Sequence, residues 1–142
     1  MSKRRDVIMA VKALATAALP NAKIRGFDGD TARPTNVTGG GVVIGHPGDP
    51  GEPAVDLSPL TYNYDHPITL EFAPGGSDQA GGLDAMMGVF GAAIEADRTL
   101  GGLCSWIEAQ APDEDDTPSG TGSQRWAMLD VIASYSTPNP LT

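Results

Sequence analysis

The feature that most constrains the fold is an alternation of apolar and polar side chains over residues 61–72. Successive side chains of a β-strand point to opposite faces, so the alternation predicts a long strand with one buried and one solvated face. Pro67 falls among the polar positions and has no N–H, which predicts that the strand is an edge there or carries a bulge. The apolar positions are Tyr62, Tyr64, His66, Ile68, Leu70 and Phe72.

Two other segments carry the three-to-four-residue spacing of an amphipathic helix. Residues 4–19 form the first, with an apolar stripe that includes Val7 and Val11 and an end at Pro20. The second runs from an N-cap at Asp78 to about residue 97, before a pair of glycines.

The remaining regular structure is predicted to be β. A short strand over 23–27, a strand over 37–46 and a final strand over 124–136 are rich in β-formers, whereas 103–109 fits a strand or a short helical turn. The order is then α-β-β-β-α-β-β. It predicts an α+β fold in which a mostly antiparallel sheet carries two helices packed on one face.

One domain of 142 residues is the expected organisation, with flexible loops at about 47–53 and 111–123. Three prolines and two glycines break the first loop, and a run of four acids followed by glycines marks the second. No run of about 18 apolar residues suggests a membrane span, and a secretory signal is not expected. The single cysteine, Cys104, rules out an internal disulfide and favours a reducing compartment.

Charge divides the chain unequally. Residues 1–33 carry seven basic and three acidic side chains, a net charge of +4, while residues 34–142 carry two basic and 15 acidic ones, a net charge of −13. An acidic body repels nucleic acid, so sequence-specific DNA or RNA binding is disfavoured. The acidic surface is either simply solvated, or one acidic face meets a basic partner or lines a channel.

No catalytic pattern is complete, so no catalytic residue, cofactor or metal is predicted. The Gly39-Gly40-Gly41 run leads into a strand rather than a helix and so does not build a phosphate cradle. The two histidines and one cysteine are not at zinc-ligand spacing. His66 is interpreted as a packing residue of its strand and Cys104 as a buried thiol. Trp106 and Trp126 flank the acidic loop and are expected to pack together in the core beneath it, or else to lie exposed at a subunit interface.

The order of elements, together with several phrases, resembles the small tail-terminator proteins (tail-completion or minor tail proteins) of long-tailed bacteriophages. The resemblance covers nearly the whole chain, and its most particular part is the stretch over 97–103. The phrases are the N-terminal helix, the strand Thr69-Leu70-Glu71-Phe72, the segment Asp97-Arg98-Thr99-Leu100-Gly101-Gly102-Leu103, the acidic glycine-containing loop and the close Tyr135-Ser136-Thr137.

The resemblance implies a structural protein of the virion rather than an enzyme. Such proteins form a ring, usually of six copies, that caps the head-proximal end of the tail tube and stops its polymerisation. The implied partners are other copies of the chain, the major tail tube protein and a head-completion or neck protein, with phage DNA passing through the lumen without specific binding. Assembly would take place in the host cytoplasm, without a membrane.

A cyclic ring needs two different, matching patches on each subunit. The unequal charge suggests which residues these are: the basic patch Lys3, Arg4 and Arg5, and the acidic patch Asp113, Glu114, Asp115 and Asp116. A tail tube or neck subunit of similar fold is the nearest alternative. A small enzyme acting on an acyl or carbohydrate substrate is another, and it predicts a pocket with converging polar groups near Cys104 or His66.

Overall fold

A computed structural model describes residues 2–119 and 122–142. Two helices and seven strands follow one another in the order α1, β1 to β4, α2, β5 to β7, which confirms the predicted α+β class and roughly the predicted order. Their bounds are α1 Lys3–Ala18, β1 Lys23–Gly26, β2 Val42–His46, β3 Ala54–Leu57, β4 Leu60–Ala73, α2 Gln79–Ala96, β5 Trp106–Ala109, β6 Asp113–Ser119 and β7 Gly122–Thr137. None of the helices within the described ranges is long and apolar enough to cross a bilayer.

All seven strands belong to one mixed sheet, whose main order is β1-β2-β4-β7-β5. β1 and β2 are parallel, and every other pairing is antiparallel. The long strands β4 and β7 form the centre, paired from Tyr62 opposite Thr137 to Phe72 opposite Ala127. β3 shares one edge of β4 with β2, and β6 shares one edge of β7 with β5.

Both helices pack on the same face of the sheet, which we call the helix side. The alternation predicted for β4 puts Ile68, Leu70 and Phe72 on this face, where they meet the buried faces of α1 and α2. The apolar spacing of each helix explains the contact, because residues three or four apart form one stripe. The helix residues in this core are Val7, Ile8, Val11, Ala15, Leu83, Met86, Phe90 and Ile94.

Pro67 lies at a local edge of β4, as its missing N–H predicts. β3 pairs with residues 60–63 and β2 with residues 69–73, so Pro67 falls in the interval between these two partners. The chain after β2 approaches this interval closely, because a Cβ atom on Gly48 would lie 2.0 Å from the carbonyl oxygen of Pro67. A central strand thus tolerates a proline in the interval where neither β2 nor β3 pairs with it, while β7 pairs along its other edge.

The acidic segment 111–123 differs from the predicted loop. Asp113–Ser119 forms β6, and β7 begins at Gly122, so the two strands pair antiparallel from Asp113 opposite Met128 to Ser119 opposite Gly122. The backbone hydrogen bonds of β7, the ion pairs with Arg125 on that strand and the contact with the distant Arg33 favour the strand over a loop. Residues 120 and 121 of the predicted loop lie outside the described ranges. The second unpredicted strand, β3, follows the connection 47–53, which contains no helix or strand.

Candidate assembly interface

The basic patch, Lys3, Arg4 and Arg5, forms the first turn of α1. Ser2 caps this helix by accepting a hydrogen bond from the backbone N–H of Arg5. Three cations at a helix N-terminus oppose the helix dipole, whose positive end lies there. Only Arg5 of the three has an ion pair among the residues described, at 3.3 Å from Asp28. Lys3 and Arg4 have no ion pair among the described residues, so the fold of one copy does not neutralise their charges.

The acidic patch, Asp113 to Asp116, forms the first four residues of β6. Successive side chains point to opposite faces of the strand, so the patch is split between them. Asp115 faces Arg33, and the other face brings Glu114 and Asp116 to 3.9 and 3.6 Å from Arg125. All four carboxylates remain solvent-exposed.

These two patches lie at opposite ends of the sheet. Asp113 pairs with Met128 near the start of β7, whereas the backbone N–H of Lys3 donates to the carbonyl oxygen of Thr142, which also accepts a hydrogen bond from the Thr137 side chain at the end of β7. At about 3.3 Å per residue, the nine steps from 128 to 137 span about 30 Å. The predicted interface residues are therefore not brought together in one copy and can meet only between copies.

The face of the sheet opposite the helices, which we call the outer face, holds a charged cluster that the sequence did not predict. Glu71, only 4% exposed, accepts a hydrogen bond from Nε of Arg33 at 2.7 Å, and its other oxygen lies 2.8 Å from Nε2 of His46. The guanidinium of Arg33 also forms a two-point contact with Asp115 at 3.0 and 3.3 Å. The hydrogen bond that Arg33 donates to Asp115, and to a smaller extent its hydrogen bond to Glu71, raise the pKa of Arg33 against the opposing effect of burial. The contacts with Glu71 and Asp115 thus hold the positive charge of Arg33 at one position on the outer face.

This cluster anchors the connection between β1 and β2 across the sheet. Arg33 stacks over the ring of buried Trp126 at 4.5 Å, and Val37 packs against a small core of Val42, Ile44, Ala73 and Trp126. A cation over an indole face is attractive, so Arg33 joins an apolar and an ionic contact. One signal was available beforehand: Glu71 is a carboxylate in the middle of a strand, and such a group is costly to bury without a partner.

The rest of the outer face is a ladder of polar side chains between β4 and β7. Thr69 donates to Asp130 at 2.6 Å, and Ser134 donates to Asp65 at 2.7 Å. Trp106 lies on this face at the β5 edge, 48% exposed, with Arg98 at 4.7 Å over its ring. Trp126 is buried eight residues along β7 from the partner of Trp106, so the two tryptophans do not pack together as one predicted alternative required.

The two groups considered for catalysis both lie in the core. Burial raises the pKa of the Cys104 thiol to about 11, so the reactive thiolate is disfavoured at neutral pH. His66 is fully buried, with Nδ1 at 3.0 Å from the hydroxyl of Tyr135 and Nε2 at 2.6 Å from the carbonyl of Pro47. Both ring nitrogens therefore already have hydrogen-bond partners within the fold. Open surface hollows lie elsewhere, at the acidic patch and beside Trp106.

Comparison with known protein families found none that matches this chain, and comparison with curated proteins found no significant sequence match.

Proposed function

We propose that this chain is the subunit of a closed ring, assembled head to tail, that terminates a bacteriophage tail. The observation that carries the proposal is the position of the basic and acidic patches at opposite ends of one sheet. Oppositely charged patches about 30 Å apart cannot satisfy each other within a copy. They suit a heterologous interface, in which a patch on one copy meets a different patch on the next.

Such an interface forms a ring when the rotation between copies closes and an open filament when it does not. The resemblance to tail-terminator proteins favours closure. In this proposal one rim of the ring binds the major tail tube protein and the other binds a head-completion or neck protein. The work is structural, with no catalytic residue and no cofactor.

The lumen would carry phage DNA without binding it. The outer face supplies a surface of the required character, because Asp65, Asp130 and Glu108 all lie on it. Carboxylates repel the DNA phosphates, so a lumen lined by such a face lets DNA slide. The neutral hydroxyl and amide groups of the outer face already form hydrogen bonds between neighbouring strands. For example, the Ser136 hydroxyl donates to the side-chain oxygen of Asn63.

Electron microscopy of the purified protein, with its mass in solution by light scattering, tests the proposal. Rings with a central hole, whose mass is a fixed multiple of one chain, are expected, and adding them to growing tail tubes should stop growth. Filaments that lengthen with concentration would instead indicate a tube subunit. Particles that stay monomeric at high concentration, even with tail tubes present, would contradict the proposal.

Charge reversal tests which surfaces meet. A variant with Lys3→Glu and Arg4→Glu, and another with Asp113→Lys, Glu114→Lys and Asp116→Lys, should each fail to assemble, because like charges then face each other. Mixing the two should restore assembly, since every contact again joins opposite charges. Asp84→Lys with Glu95→Lys puts lysines in place of exposed carboxylates on α2 and is the control for the acidic-patch variant. Assembly of either single variant at wild-type strength and salt dependence would exclude the charged patches.

A further inference from the structure

The helix side of the sheet extends further than the helices that cover it. In the hairpin of β3 and β4, Val55 pairs with Tyr62 and Leu57 pairs with Leu60, so these four side chains share one face. Tyr62 belongs to the same parity of β4 as the core residues Tyr64 and Ile68, and it packs against the core. The hairpin therefore continues the core face of β4 beyond α1 and α2.

The continued face is left in solvent. Val55 is 46% exposed, Leu57 82% and Leu60 47%, and together they form an aliphatic surface that we call the hairpin stripe. The opposite face of the hairpin is polar, where the Asn63 amide donates to the carbonyl of Ala54 and to Asp56. A one-sided aliphatic surface that continues a core resembles half of a core that another chain completes.

The surroundings of the stripe indicate which chain completes it. α1 begins near the base of the hairpin, because the backbone N–H of Lys3 donates to the carbonyl oxygen of Thr142, which also accepts a hydrogen bond from the Thr137 side chain, and Thr137 pairs with Tyr62. The stripe thus lies at the basic end of the sheet. The complementary acidic patch belongs to this same sequence, at the other end, beside exposed Met128 in register with Asp113. The aliphatic stripe and the basic patch at one end of the sheet are therefore complementary to Met128 and the acidic patch at the other end.

We propose that the hairpin stripe is the apolar centre of the contact between successive copies of this chain. The inference rests on the proposed head-to-tail assembly and deepens it by assigning the affinity to the stripe, while the charged patches orient the approach. This division follows general behaviour at interfaces, where a few buried apolar side chains carry most of the binding energy. Charged rims chiefly affect the association rate and its dependence on salt.

The test is a matched pair of valines. Val55 in the stripe and Val89 on α2 are 46% and 48% exposed, so Val55→Asp and Val89→Asp place the same charge at equal exposure. Sedimentation over a range of concentrations should show that Val55→Asp weakens self-association at least about 10-fold, as expected for an aliphatic side chain lost from a buried centre. Val89→Asp should leave it unchanged. Leu57→Asp, at the most exposed position, should act like Val55→Asp.

Amide hydrogen exchange of the unmodified protein gives a second measurement that does not depend on the folding of a variant. The amides of residues 54–63 should exchange more slowly at concentrations where the protein is assembled than where it is monomeric. Equal exchange at both concentrations, or equal self-association of Val55→Asp and Val89→Asp, would overturn the inference. A wild type that associates through the stripe into closed dimers would instead refute the ring and leave the stripe contact standing. If the wild type forms rings and Val55→Asp still forms them, the ring proposal stands and the stripe contact is refuted.

Discussion

On the helix side of the sheet, Phe72 packs against Phe90 with ring centroids 5.5 Å apart, whereas one residue earlier in β4, on the outer face, Glu71 is buried beneath Arg33. Both side chains are almost inaccessible to solvent. The first is buried by apolar packing, which is non-directional, and the second by ion pairs that require specific geometry. The comparison shows that one strand can bury both of its faces while its sequence still alternates between apolar and polar residues.

The largest effect is expected on the helix side. Phe72→Ala removes a ring from the centre of the main core and leaves a cavity between β4 and α2, so it should lower the free energy of unfolding by about 3–5 kcal/mol. Urea denaturation followed by circular dichroism measures the change. A loss below about 1 kcal/mol would show that the helices hold the sheet less tightly than the packing indicates.

The outer face should be nearly as sensitive at one position. Arg33→Ala leaves the buried carboxylate of Glu71 with the His46 ring as its side-chain partner and removes the cation over the Trp126 ring. Breaking a buried ion pair typically costs 3–5 kcal/mol, and the partial exposure of Arg33 reduces the expected loss to about 2 kcal/mol. The same denaturation measurement applies.

Arg125→Ala is the control for that substitution. Arg125 contacts carboxylates that are about half exposed, at 3.6 and 3.9 Å, so its removal should cost at most about 0.5 kcal/mol. Equal losses for Arg33→Ala and Arg125→Ala would show that the outer cluster is an ordinary surface network, and the comparison of the two faces would fail.

His66 is the polar exception on the helix side, and it makes stability depend on pH. Burial is the main cause that lowers its pKa, so the folded state takes up a proton less readily than the unfolded state, whose histidine has a pKa of about 6.5. The unfolded state therefore gains protons first as the pH falls below about 6.5, and this residue's contribution to stability declines until the lowered pKa is passed. NMR titration of the His66 ring should give a pKa below that of a model histidine. An unshifted or raised pKa would contradict the buried neutral ring.

The contrast between the faces also explains what the sequence could predict. The alternation in β4 and the spacing in α1 depend on neighbours along the chain, so both elements and their shared core were predictable. The contacts of Arg33 with Glu71 and Asp115 join positions far apart in the sequence, and no local pattern predicts them. The acidic segment forms β6 by pairing with the adjacent β7, which its composition of acids and glycines did not predict. The hairpin stripe was visible in part, since Leu60 continues the apolar parity of β4.

The smallest expected effects separate two rungs of the polar ladder on the outer face. The Thr69 hydroxyl donates to Asp130 at 2.6 Å in a partly buried position, so Thr69→Val leaves that carboxylate short of a donor and should cost about 1 kcal/mol. Ser134 donates to Asp65 at 2.7 Å in solvent, where water can replace it, so Ser134→Ala should cost only a few tenths of a kcal/mol. Denaturation of both variants beside wild type measures the difference. If the order were reversed, burial would not be what gives the outer face its stability, because the more exposed of two similar bonds would then contribute more.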